Sequence, residues 1–130
     1  MTFALAKSVL IVDDYSALRS ALCELFRSET DFDVCGEAEN GREAIAKAQE
    51  LQPDLIVMDL SMPVMNGLDA ARVLRRLVPN VPIILFSSYS EAFTEKEAQS
   101  AGISAVVAKS ENTAALLRTA RTVMRYQAAA

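Results

Sequence analysis

This chain contains no histidine, and with it go several classes of chemistry. Ser-His-Asp and Cys-His nucleophile systems need an imidazole base, and the common zinc sites need one as a ligand. Cysteine is scarce as well. Cys23 lies in a helical pattern and Cys35 in a strand-like one, with no partner at metal-ligand spacing. Both are expected to be buried, reduced packing residues. No uninterrupted apolar run exceeds four residues, which leaves no transmembrane helix and no apolar core of a signal peptide. The expected location is the cytoplasm. Excess positive charge is also missing. A net charge of −4 and a pI near 4.8 argue against a nucleic-acid-binding surface, which needs clustered Lys and Arg. What remains is a hydrophobic content of 52% in 130 residues. That supports one domain with a proper core, needing no metal or disulfide staple and incompatible with intrinsic disorder.

Strand and helix patterns alternate five times along the chain. The strand candidates are Ser8 to Val12, Phe32 to Ala38, Leu55 to Met58, Pro82 to Phe86 and Ala105 to Ala108. They are short, β-branched and nearly continuous in apolar character, which suits strands covered on both faces. Between the first two, Leu18, Ala21, Leu22, Leu25 and Phe26 form an apolar stripe at helical spacing. Asn40-Gly41 opens a second helix that closes before Pro53. Asn66-Gly67 opens a third, with Leu68, Ala71, Leu74 and Val78 inward and Pro79 as the stop. The segment Glu91 to Ala101 is helical but has only Phe93, Ala98 and Ala101 as core candidates. The last helix puts Leu116, Leu117, Ala120, Val123 and Met124 on one face. Strict alternation predicts an α/β fold, a five-stranded parallel sheet with right-handed crossovers and helices on both faces. Five strands favour the doubly wound, flavodoxin-like order 2-1-3-4-5, with a switch point between the first and third strands.

That order brings the chemistry together. The run LIVM ends on Asp59 and continues as LSMPVMNG, so a buried strand delivers one acid to its C-terminal tip beside a loop. The run VLIV ends on two more, Asp13 and Asp14. In an open α/β sheet ligands bind at such tips. Three acids on adjacent tips suit a hard cation and a phosphoryl group. The next two strand ends carry Ser87, a hydroxyl, and Lys109, an ammonium. Each of the five also fits a purely structural role when taken alone. Asp13 or Asp14 can cap the next helix, and Lys109 can pair with any acid. Arg118, Arg121 and Arg125 form a basic stripe on the last helix, expected to be a solvated outer face.

The ordered set, acid pair, acid, hydroxyl and lysine, each on its own strand end, resembles the response-regulator receiver domain of two-component signalling. The quoted matches are Asp13-Asp14, MDLSMPVMNG around Asp59, Ser87 in LFSS, and Lys109 in AGISAVVAK. The predicted strand order rests in part on this resemblance. It implies a signalling phosphoacceptor rather than an enzyme, one that assists its own phosphoryl transfer and dephosphorylation. Asp59 would take a phosphoryl group from the phosphohistidine of a sensor histidine kinase or histidine phosphotransfer protein. Mg2+ would be held by Asp14 and Asp59 directly, by Asp13 through water, and by the backbone carbonyl of Ser61. Ser87 and Ser88 would contact the phosphoryl group, with Lys109 neutralising its charge. Output would run through Tyr89, Phe93 and position Val106, with the helix from Glu91 to Ala101 expected to be the loosest element. A homodimer on activation stays open, with no contact to nucleic acid or membrane through this domain.

The expected domain is residues 7–127, complete by about Tyr126, with tails at 1–6 and 128–130. Whether it stands alone or forms part of a longer regulator stays open. Two positions depart from the family pattern. Val106 stands where an aromatic is usual, and Ser110 follows Lys109 where proline in a cis peptide is usual. A cis bond before serine costs about 2.5–4 kcal/mol, so that loop is either strained or trans and reshaped. A flavin carrier of this fold would need a glycine- and hydroxyl-rich first loop, and an aspartate-nucleophile phosphatase an acid at Ser61. The alternative that survives is a pseudo-receiver, an interaction module that phosphate does not switch.

Overall fold

The computed structural model describes residues 5–88 and 95–129, with side chains to Arg125. Five strands, β1 (Lys7–Val12), β2 (Phe32–Ala38), β3 (Leu55–Met58), β4 (Ile83–Ser87) and β5 (Ala105–Ala108), form one parallel sheet in the order β2-β1-β3-β4-β5. Helices α1 (Ser16–Arg27), α2 (Gly41–Leu51), α3 (Gly67–Leu77), α4 (Glu95–Ser100) and α5 (Thr113–Ala129) alternate with them. The expected class and order are therefore observed. Three of five strand ranges agree residue for residue, while β1 starts at Lys7 and β4 runs to Ser87. Pro82 lies outside β4, and its carbonyl accepts from Ile56 N at 3.0 Å.

The unbroken apolar runs follow from two cores, one on each face of the sheet. Val9, Ile11, Leu55, Val57, Ile84 and Phe86 pack with α1 and α5. Their neighbours Leu10, Val12, Ile56, Met58, Ile83 and Leu85 pack with α2 and α3. Successive strand residues point to opposite faces, so a central strand covered on both sides has no polar positions left. The last helix uses the expected face, with Leu116, Leu117 and Ala120 buried and Val123 and Met124 against them.

Some helical details differ from the sequence reading. In α1, Cys23 is buried as expected, but Ala21 is exposed, because the helix is rolled slightly towards its cysteine side. Burial pushes the Cys23 thiol up to about 11, and also raises that of half-buried Cys35; both cysteines are free. The expected helix over Glu91 to Ala101 is described only from Glu95, where Ala98 and, just beyond its end, Ala101 are buried. The basic stripe on α5 is only partly solvated. Arg118 and Arg125 are exposed, but Arg121 grips Asp31 at 2.8 and 3.0 Å and Glu29 at 2.7 Å, and lies over the Phe32 ring. It fastens α5 to the turn that leads into β2.

Helix starts behave as the sequence indicates. Asn40 accepts from Glu43 N and Asn66 from Asp69 N, each at 2.9 Å, so both helices that flank the β3 loop begin on an asparagine cap. The loop itself is held closely. Gly41 N donates to Met65 O at 3.0 Å and Gly67 N to Leu60 O at 2.7 Å.

Candidate functional site

The site sits where the topology reverses direction. β1 and β3 are adjacent, and their ends are tied in register by Asp59 N donating to Val12 O at 2.9 Å, while Asp13 N ties the end of β1 to β2 through Ala38 O at 3.0 Å. This puts Asp13, Asp14 and Asp59 on one rim. One carboxylate oxygen from each lies within 4.8 Å of the others. Asp13 and Asp59 are buried, and Asp14 is exposed. Among the described residues, Asp13, Asp59 and Ser87 are the buried polar residues. The interior is otherwise apolar, so its polar capacity is spent at the strand tips.

Lys109 closes the cluster from the far side. Its N–H donates to Ser87 O at 2.7 Å, continuing the ladder beyond β5 and aiming the side chain across the sheet end. Nζ then lies 3.0 Å from Asp59 Oδ1 and 3.5 Å from Asp13 Oδ2. Burial pulls the ammonium's pKa down, but the hydrogen bond it donates to Asp59 and the charges of Asp13 and Asp59 outweigh it and hold the pKa above its ordinary value. Lys109 is therefore a firm cation against two acids. The Lys109–Ser110 peptide is trans, as are the peptide bonds of the described residues generally, so the loop takes the second of the two forms open from sequence.

The remaining expected residues fall around this centre. The other Asp13 oxygen, Oδ1, accepts Tyr15 N at 2.9 Å and so holds the turn before α1, but the helix begins on Tyr15 with no side-chain cap, so neither Asp13 nor Asp14 caps it. Ser61 is exposed on the loop after β3. Ser87 is buried at the end of β4, its hydroxyl donating to Ser88 O at 3.3 Å, and Ser88 is half-buried. Val106 points outward from β5, 46% exposed, beside a groove of about 420 Å³ between α4 and β5. Tyr89 and Phe93 lie outside the described residues.

Two contributors escaped the sequence reading. Gly67 packs so tightly that a Cβ there would meet the Asp59 carbonyl oxygen at 2.2 Å. The Asn-Gly helix start was legible, but not that its glycine abuts the acid. Arg19 of α1 donates to the Asp13 carbonyl at 2.8 Å and to Glu37 at 3.0 Å. No local pattern in sequence singles out that pairing.

Chemically, three carboxylates offset by one ammonium retain a net negative charge with oxygen ligands only. Such a set suits a hard, octahedral cation and disfavours the softer transition metals. Comparison with known proteins identifies the family. A family model of the response regulator receiver domain matches residues 9–121. The chain is 40% identical over 105 residues to the chemotaxis protein CheY of Thermotoga maritima, covering 81% of this chain and 87% of that protein. It is 41% identical over 106 residues to a protein-glutamate methylesterase/protein-glutamine glutaminase of Nocardioides sp., covering 80% of this chain but 29% of that protein. The crystal structure of the response regulator domain of Thermotoga maritima CheB superposes with a TM-score of 0.84 at 32% identity, covering 93% of this chain and 98% of that one.

Proposed function

Because this chain belongs to the response regulator receiver domain family, we propose that it is a phosphoacceptor switch in which Asp59 takes a phosphoryl group from the phosphohistidine of a sensor histidine kinase or phosphotransfer protein. The observation that carries this reading is the juxtaposition of buried Asp59 with two further carboxylates and with the Lys109 ammonium at 3.0 Å. Asp59 is the nucleophile: its carboxylate oxygen attacks phosphorus, an O–P bond forms, and the P–N bond to the donor imidazole breaks. The imidazole leaves with the electron pair of that bond. Lys109, already pressed against Asp59, follows the charge onto the new phosphoryl oxygens. Ser87 turns its hydroxyl from the Ser88 carbonyl towards the phosphate, and that exchange starts the signal.

Asp13, Asp14 and Asp59, with the Ser61 carbonyl, would hold Mg2+, which when bound neutralises charge on the transferring phosphoryl group. The acceptor domain corresponds to residues 7–127. It acts through protein contacts, with the exposed edge at Val106 on the output side and a homodimer as one form of the active state. The similarity to the methylesterase is confined to its receiver-like portion, so this chain is read as a signalling domain and not an esterase. No helix among the described residues is long and apolar enough to cross a membrane, and a cytoplasmic location fits the proposed partners.

The test is incubation with acetyl phosphate and magnesium followed by intact-mass measurement. One phosphoryl group should be gained, stable in acid but released by alkali and hydroxylamine. Asp59→Asn should abolish the gain while leaving the circular dichroism spectrum unchanged. Labelling that survives this substitution moves the acceptor elsewhere. No labelling of the native chain, by small donor or kinase, favours the pseudo-receiver.

A further inference from the structure

Three contacts converge on the acid at the end of β1, and only one of them involves the reacting centre. Lys109 approaches Asp13 Oδ2, and Tyr15 N holds Oδ1. The third grips the backbone: Arg19 Nη1 donates to the Asp13 carbonyl at 2.8 Å. That carbonyl belongs to the peptide joining Asp13 to Asp14, so its orientation sets where both carboxylates leave the chain. Asp14 is exposed, and its placement follows from the backbone that carries it.

Arg19 is itself held. Its Nε donates to Glu37 Oε1 at 3.0 Å, and the arginine side chain is only 18% exposed. Glu37 lies on β2, next to β1, and its own backbone carbonyl accepts the Lys47 ammonium from α2. A continuous polar relay thus runs from α2 through β2 and α1 to the peptide between the two acids. A guanidinium can make this bridge because its donors sit in a rigid fork, with one arm on each acceptor.

We infer that Arg19 is a positioning residue for the cation site: by fixing the Asp13–Asp14 peptide against β2, it preforms the carboxylate geometry and sets which cation size the site prefers. This rests on the reading of the acids as a magnesium site. Mg2+ demands near-ideal octahedral geometry, whereas Ca2+ accepts irregular surroundings. A loosened peptide therefore costs Mg2+ more than Ca2+. Simple electrostatics has the opposite sign, because deleting a cation close to three carboxylates strengthens the binding of any divalent ion.

The test uses the full chain, titrated calorimetrically with Mg2+ alone and with Ca2+ alone. Arg19→Met, which keeps the aliphatic stem, should weaken Mg2+ binding about 10-fold, the lower end of what lost support behind a metal ligand costs. Ca2+ should weaken less, so the Mg2+ to Ca2+ preference falls. Arg19→Lys keeps the charge but not the fork, and should show the same fall. Glu37→Ala serves if Arg19→Met does not fold, with a smaller loss of the same sign. An Arg19→Met protein that binds Mg2+ as tightly as the native chain or more so, or that loses both ions equally, overturns the inference. Failure of the native chain to bind either ion is a different result. It overturns the magnesium reading itself, and is visible before any variant is made.

Discussion

Replacing Gly67 by alanine is the sharpest test of how this fold holds its site. By ordinary rules the change is favourable. Gly67 is the first residue of α3, and glycine in a helix is worse than alanine by about 0.8–1 kcal/mol. Removing backbone freedom from the unfolded chain stabilises by a similar amount. The tertiary structure reverses the sign. The added methyl would stand 2.2 Å from the Asp59 carbonyl oxygen, 3.1 Å from the Asp59 carbonyl carbon and 3.1 Å from Leu60 Cα. All three are backbone atoms, so no side chain can swing aside. Either α3 backs away by about 1 Å, which opens the core around Leu68 and Ala71, or the end of β3 moves. Overpacking of this kind costs about 1–3 kcal/mol, and the upper end applies where backbone must yield. After subtracting the helical gain, Gly67→Ala should lose about 2 kcal/mol, a drop in melting temperature of about 6–10 °C for a domain of this size. Urea unfolding followed by circular dichroism measures it. Gly36→Ala is the matched control. Its added methyl meets side chains alone, Leu51 at 2.6 Å and Leu10 at an ordinary 3.6 Å, and Leu51 is half out in solvent, so the loss should stay within about 0.5 kcal/mol. A Gly67→Ala protein as stable as the native chain would show that the β3–α3 loop is not pinned against the acid, and the argument from close approach would fail.

Val64 is an exposed β-branched residue at φ 70°, in the left-handed region. Val64→Asn should raise stability by about 1 kcal/mol in urea melts, because that conformation costs a non-glycine residue about 1–2 kcal/mol and asparagine tolerates it best. Asp13→Asn removes one of three carboxylates whose oxygens lie within 4.8 Å, at the loss of the Lys109 contact. The metal-free protein should gain on the order of 1–2 kcal/mol, while the rise in melting temperature caused by millimolar magnesium should shrink; an unchanged melting temperature in both arms removes the carboxylate-site reading. The hydrogen bond from Arg121 holds the Asp31 carboxyl below its ordinary range. Its contribution is therefore present above the unfolded pKa of about 3.9 and lost as pH falls through the lower folded value. Asp31→Asn should flatten that acid limb of the stability curve, with native and variant proteins converging at the lowest pH.

The sequence alone determined the alternation, the two-sided sheet and the rim that carries the chemistry. Each is a local signal. Runs such as VLIV and LIVM read as central strands because no polar residue interrupts them, and the residue after each run must lie at a strand tip. Asparagine before glycine marked both helix starts for the same reason, since the cap acts within three residues. What the sequence could not separate was Asp13 from Asp14. Both follow β1 directly, and only the position of Lys109 and the turn at Tyr15 decide that Asp13 is buried and Asp14 faces solvent. The roll of α1 that leaves Ala21 exposed is likewise set by what the helix lies on. The pairings of Arg19 with Glu37, 18 residues away, and of Arg121 with Asp31, 90 residues away, have no periodic trace. Hydrophobic periodicity reports which face of an element is buried, whereas an ion pair depends on where two separate elements come to rest. The tertiary structure alone decides that, and at Arg19 and Gly67 it decides how firmly the site is held.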